Sequence, residues 1–366
     1  MKNNTTRVKG FTFLLMTLAT AMALGACGSS SRPANDLLSG NQSAKSGEIR
    51  VLSNRADLIS GGDALVEVVL PAGVNAAAVR MDVDGRDVTS AFALRPNGRY
   101  MGLVTGLAEK PNVLRARMPN GSGARITITN YPNGGPIFAG PQIQPWTCLE
   151  GAVDAQCNRP VSYEYFYQST TPALPCAQAG VPPGCGTFKP YDPQNPPTAV
   201  VTTTTDQGKT VPYIVRVEKG TQDRGQYLFA VLFDHSKDWQ PWGPQNGWNG
   251  KIYNVGGSGC GTTHGETPGM DVMDADALSR GFMVWSTALS HNTQNCNMVV
   301  QAESLMMAKE RITEVYGPIR YSIGSGCSGG SIKQQQAANA YPGIYDGVIP
   351  GCSFPDTWST MQEVSD

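Results

Sequence analysis

The sequence predicts an α/β protein: a parallel sheet, incomplete at its C-terminal end, preceded by a small all-β sandwich. Three observations carry this. Between residues 48 and 130 short apolar runs recur with Asp84-Gly85, Asn97-Gly98 and Asn120-Gly121 between them, the texture of strands joined by tight turns. From about Val211 onward apolar runs alternate with helix-compatible stretches, as parallel strands and crossover helices do. Finally, Tyr321-Ser322-Ile323-Gly324-Ser325-Gly326-Cys327-Ser328-Gly329-Gly330 sets a serine between a strand and a helix.

The N-terminus precedes the fold. Lys2, Arg7 and Lys9 make a positive start, residues 11–24 are apolar, and Leu24-Gly25-Ala26-Cys27 ends the stretch in small residues. This resembles the bacterial lipobox, which implies lipidation of Cys27 and an exported protein held at a membrane. An ordinary signal peptide is the plainer alternative, and the apolar span is short for a transmembrane helix. Residues 28–47 are polar and Gly/Ser-rich, a flexible tether.

Residues 48–130 are expected to form the sandwich, with no polar constellation of their own. Residues 131–204 are rich in Pro, Gly and Cys and read as an irregular, disulfide-pinned connector, with Tyr163 to Tyr167 as core. Residues 205–366 carry the alternating pattern. Within them Met298, Ala302, Leu305, Ala308, Ile312 and Val315 share one helical face, stopped by Gly317-Pro318.

Composition limits the function classes. The chain has 366 residues, 40% of them hydrophobic, with 42 Gly and 26 Pro: a loop-rich globular protein with room for two domains. A net charge of −1, only 16% charged residues and the lack of a basic block leave no footprint for nucleic acid. Beyond Cys27 there are eight cysteines: Cys148, Cys157, Cys176, Cys185, Cys260, Cys296, Cys327 and Cys352. In an exported protein they read as disulfide candidates. Cys148/Cys157 and Cys176/Cys185 are close enough to close small loops, though spacing does not fix connectivity. No Cys/His group has zinc-site spacing, so a structural metal is not expected; no organic cofactor is implied either.

Gly326-Cys327-Ser328-Gly329-Gly330 fits the G-x-S-x-G nucleophile elbow. A serine on so tight a turn needs small neighbours, and the following helix points its N–H groups at negative charge developing beside it. The pentapeptide alone arises by chance in so Gly-rich a chain; its strand–turn–helix setting gives it weight. Ser328 is therefore the expected nucleophile. The Gly-rich run after Val255 is the expected oxyanion loop, with Gly256, Gly257 and the N–H of Gly329 as its donors. It fits neither common phosphate-binding glycine pattern.

Together with Gly247-Trp248-Asn249-Gly250-Lys251, Ala277-Leu278-Ser279-Arg280-Gly281-Phe282 and Tyr341-Pro342-Gly343-Ile344-Tyr345-Asp346-Gly347, the elbow resembles the tannase/feruloyl esterase family of α/β-hydrolases. Closer still is its uncharacterised branch, domain-of-unknown-function family 6351. The likeness runs from about residue 135 to 356. It implies an α/β-hydrolase-like sheet and a serine carboxylic ester hydrolase acting on a small ester or phenolic ester. It also implies that Cys327 bridges to a cysteine just after the catalytic histidine.

The sequence departs from that pattern in one respect. In the family the acid and histidine follow the serine, yet the 38 residues after Ser328 contain no histidine. His235, His264 and His291 all precede it and read as surface or supporting groups, and Asp356 reads as a turn aspartate. The expectation is a truncated and inactive esterase in which the partner of Cys327 is missing, leaving a free thiol and an open sheet edge. Two rivals stand beside it. One is a non-catalytic surface-binding lipoprotein that keeps a hydrolase scaffold; the other is a hydrolase resembling polyhydroxyalkanoate depolymerases.

Overall fold

The computed structural model of the chain describes residues 47–169, 188–256, 259, 261, 263–291 and 294–353. They all fall within one compact unit, Ser43–Asp366. Nine strands come first: β1 (Glu48–Val51), β2 (Ile59–Ser60), β3 (Ala64–Val69), β4 (Arg80–Val83), β5 (Arg86–Asp87), β6 (Phe92–Leu94), β7 (Tyr100–Val104), β8 (Pro111–Arg117) and β9 (Gly123–Tyr131). They build two sheets, β1-β3-β7-β6 and β2-β9-β8-β4-β5, around one apolar core that holds Val66, Val68, Val104, Leu114 and Ile128. Strand β8 shows why. Its Asn112, Leu114 and Ala116 are buried while alternate residues are more exposed, the period of two that a half-covered sheet demands. Asp84 and Gly85, both at positive φ, make the two-residue turn from β4 to β5.

The remaining elements follow as β10 (Ser162–Gln168), β11 (Phe188–Pro190), β12 (Thr202–Thr204), β13 (Thr210–Pro212), β14 (Ile214–Gln222), β15 (Gly225–Leu232), β16 (Lys251–Gly256), α1 (Ala275–Ser279), β17 (Met283–Thr287), α2 (Met298–Val315), β18 (Tyr321–Cys327), α3 (Gly329–Ala340) and β19 (Gly347–Gly351). Strands β12 and β13 pair with each other. The other eight form one sheet in the order β11-β10-β14-β15-β17-β16-β18-β19.

This sheet corrects the predicted fold class. Only β17, β16, β18 and β19 run parallel; β11, β10, β14, β15 and β17 are joined by antiparallel pairings. Of the described residues 37% lie in strands and 16% in helices, so the chain is strand-rich and mixed, not a helix-rich parallel α/β-hydrolase sheet. The physical reason lies in one turn. The apolar runs at Ile214–Gln222 and Gly225–Leu232 have no crossover helix between them; Asp223 and Arg224, at φ 51° and 58°, fold them into a hairpin. Strand β10, from the expected connector, extends the antiparallel half, burying Phe166 and Tyr167 while Tyr163 stays 42% exposed.

Helix α2 starts at Asn297, whose side chain accepts from the N–H of Val299 and Val300, and buries Ala302, Leu305, Ala308 and Ile312 as the spacing predicts. It ends before Gly317, where a Cβ would stand 2.6 Å from the Pro241 carbonyl oxygen. Its outer side is buried too. Glu310 Oε1 accepts from the Ser60 N–H (2.6 Å) and hydroxyl (3.2 Å), and Oε2 accepts from Asn54 (3.1 Å), tying the N-terminal sheets to the helix. Burial pushes this carboxyl up to about 8.

Candidate active site

The parallel strands bring four strand ends together. Gly256, Thr287, Cys327 and Gly351 close β16, β17, β18 and β19 at the same end of the sheet. Ser328 stands there, half-buried, between β18 and α3, with φ 55° and ψ −119°. A side chain rarely adopts that conformation, and holding one there costs on the order of 1–3 kcal/mol. What fixes it is the packing around it. A Cβ on Gly326 would meet Gly256 O and Gln334 Nε2 at 3.0 Å, and one on Gly256 would meet Ser325 O at 2.8 Å. The Ser328 N–H donates to Gly351 O (3.2 Å), and its own carbonyl accepts from Ile332 N–H (3.1 Å), opening α3.

The oxyanion candidates sit around this turn. Gly329 is the buried first residue of α3, and such a residue's N–H has no partner within its helix. Gly256 lies in register with Gly326. Gly257 falls outside the described residues, as do Cys27, Cys176, Cys185, Cys260 and Asp356.

The cysteines bring a second correction. Cys327 is not a free thiol: it is bonded to Cys352, just past β19, 25 residues on. The bridge therefore clamps the residue before Ser328 to the neighbouring strand's end. Cys148 is bonded to Cys157, and Cys296 is also in a disulfide. Glu266 lies beside the first pair, but sulfurs bonded to each other are not metal ligands. Disulfides persist in oxidising compartments, which fits an extracellular or periplasmic protein. Among the described residues no helix is long and apolar enough to cross a membrane.

The histidines are dispersed. His235 bonds the Tyr191 hydroxyl at 2.9 Å past the end of β15, which is antiparallel to β17, so it lies at the opposite end of the sheet. A recess of about 410 Å³ lined by Leu232, Phe233 and Gly247 also lies there, away from Ser328. His264 is exposed. His291 follows β17 at the elbow's end of the sheet, half-buried, with Nδ1 unpartnered and its pKa lowered by burial and by the charge of Lys333. Among the described residues no side chain hydrogen-bonds the Ser328 hydroxyl.

Beneath the elbow lies a polar network that sequence reasoning did not single out. Asn254, fully buried on β16, accepts from Lys333 Nζ (2.8 Å) and the Tyr345 hydroxyl (2.7 Å) and donates to Trp285 O (3.1 Å). The one signal was a lone Lys in Gly330-Ser331-Ile332-Lys333, too short a window to weigh.

Fold and site thus define a strand-rich chain with a serine elbow at the end of four parallel strands. The chain belongs to the tannase-like family of unknown function DUF6351, whose model matches residues 49–366. No curated protein matches it. Among solved structures, oligopeptidase B from Leishmania major is similar at a TM-score of 0.26 and 13% identity, covering 82% of this chain. The chain covers 47% of that one, about half its length.

Proposed function

We propose that the chain is an exported carboxylic ester hydrolase whose nucleophile is Ser328. The observation that carries this is the backbone of Ser328, held at φ 55° beside Gly326 and Gly256, where an added Cβ would meet backbone oxygen at 3.0 and 2.8 Å. A strained residue enforced by its surroundings marks a functional position. The Ser328 Oγ attacks the ester carbonyl carbon, the oxyanion takes the N–H groups of Gly329, Gly256 and Gly257, and the C–O bond to the alcohol breaks, the alcohol leaving with the proton that the serine hydroxyl gives up. Water then cleaves the acyl-serine and frees the acid. Membership of a tannase-like family supports an ester of a phenolic acid as substrate.

A second reading draws on the Ser328 hydroxyl, which among the described residues has no side-chain partner: a binding protein that keeps this scaffold without turnover. Hydrolysis of a nitrophenyl ester separates them. The enzyme reading expects turnover that Ser328→Ala abolishes; turnover unchanged in Ser328→Ala removes the role of Ser328, and none in the unaltered chain favours binding. Anchoring through a lipid on Cys27 belongs to the same proposal. The protein should then partition into detergent, and Cys27→Ser should move it to the aqueous phase; partition unchanged by that substitution rules the anchor out.

A further inference from the structure

Lys333 is buried to 1% exposure on α3, five residues past Ser328. An ammonium at that depth is ordinarily paired with a carboxylate, because desolvating a lone charge is costly. Among the described residues none meets it: its hydrogen bond goes to Asn254 Oδ1, 2.8 Å away. The described residues of the surrounding elements offer no acid either. The strand β16 presents Asn254, the segment before β19 presents the Tyr345 hydroxyl on the same oxygen, and the turn after β17 presents His291, another base. Helix α2 turns its Lys309 onto the carbonyls of Gly343 and Ile344. Lys333 Nζ also lies 3.2 Å from where a Cβ of Gly256 would stand, directly behind the last residue of β16.

We propose that Lys333 is a positioning residue for the oxyanion pocket: its amine ties the end of β16 to the elbow helix and, protonated, places positive charge behind the point where the substrate's carbonyl oxygen becomes negative. This rests on the reading of Ser328 as nucleophile. The anion that matches the buried cation is then the one the reaction creates. Preorganised charge of this kind lowers the barrier because it needs no reorganisation when the oxyanion forms. Burial holds the amine down to about 7. The charge is therefore present below neutral pH and is lost as pH rises through that value.

The test is the rate at which a fluorophosphonate probe labels the full chain, followed across neutral pH. The unaltered protein should carry a fall in rate on passing upward through about pH 7. Lys333→Met should remove that fall and slow labelling about tenfold on the acid side, less than deleting a direct oxyanion donor. Lys333→Gln, which retains a donor for Asn254 without the charge, should lack the fall as well. Thermal melts confirm that each variant is folded, and Lys333→Gln carries the test if Lys333→Met is not. A folded variant with the pH profile of the unaltered protein overturns the role of Lys333. An unaltered chain that takes no label sinks the Ser328 reading itself, and this inference with it.

Discussion

Glu218→Ala is expected to lower the stability of the protein by about 3–5 kcal/mol, the range for breaking a buried pair from one side. Glu218 is fully buried on β14 and gathers three donors. Oε1 accepts from the Tyr227 hydroxyl (3.0 Å) and Arg311 Nε (3.2 Å), and Oε2 from the Tyr316 hydroxyl (2.7 Å). Those partners come from β15, from α2 and from the residue that caps α2, so one carboxylate joins the hairpin to the helix. The Arg311 side chain is 26% exposed, which puts the charge contribution at the low end. The two buried hydroxyls left without an acceptor, about 1–3 kcal/mol each before relaxation, are part of that total and not an addition to it. Glu218→Gln keeps the shape and one acceptor and should lose less. Urea unfolding measures both variants. A Glu218→Ala midpoint equal to that of the unaltered protein contradicts the claim that this carboxylate holds α2 to the sheet.

The second large effect is at the site. Gly256→Ala should slow every reaction of Ser328 by about 10²–10³-fold, the loss seen when one oxyanion donor is displaced. The new Cβ would stand 2.8 Å from Ser325 O, 3.2 Å from Lys333 Nζ and 3.4 Å from Gly330 Cα. Two of these are backbone atoms of the elbow, which cannot swing aside, so the end of β16 must move away from α3. Gly243→Ala is the control, since its Cβ would meet nothing within 4 Å. Equal labelling rates for the two variants would show that the β16 end does not shape the site.

How much of this was legible in the residues differs by element. The buried face of α2 and the elbow turn were, because a period near 3.6 and small residues flanking a serine are local signals. The direction of the sheet was not. Its antiparallel half depends on a hairpin turn that puts Asp223 and Arg224 at positive φ, where Asn-Gly or Asp-Gly would have announced it. Without that signal, two apolar runs followed by helices read as parallel strands. Cys352 escaped as the partner of Cys327 because a disulfide is a distance in space, not in sequence. Asn254 and Lys333 escaped for a similar reason: nothing in the residues around either one marks it, and only the fold brings them within 2.8 Å.

The most direct test of the central claim is to treat the full chain with a fluorophosphonate probe, digest it with trypsin after reduction and locate the adduct by mass spectrometry. The account predicts the adduct on peptide 321–333, at Ser328, and its loss in Ser328→Ala. An intact, folded protein whose 321–333 peptide carries no adduct would contradict it.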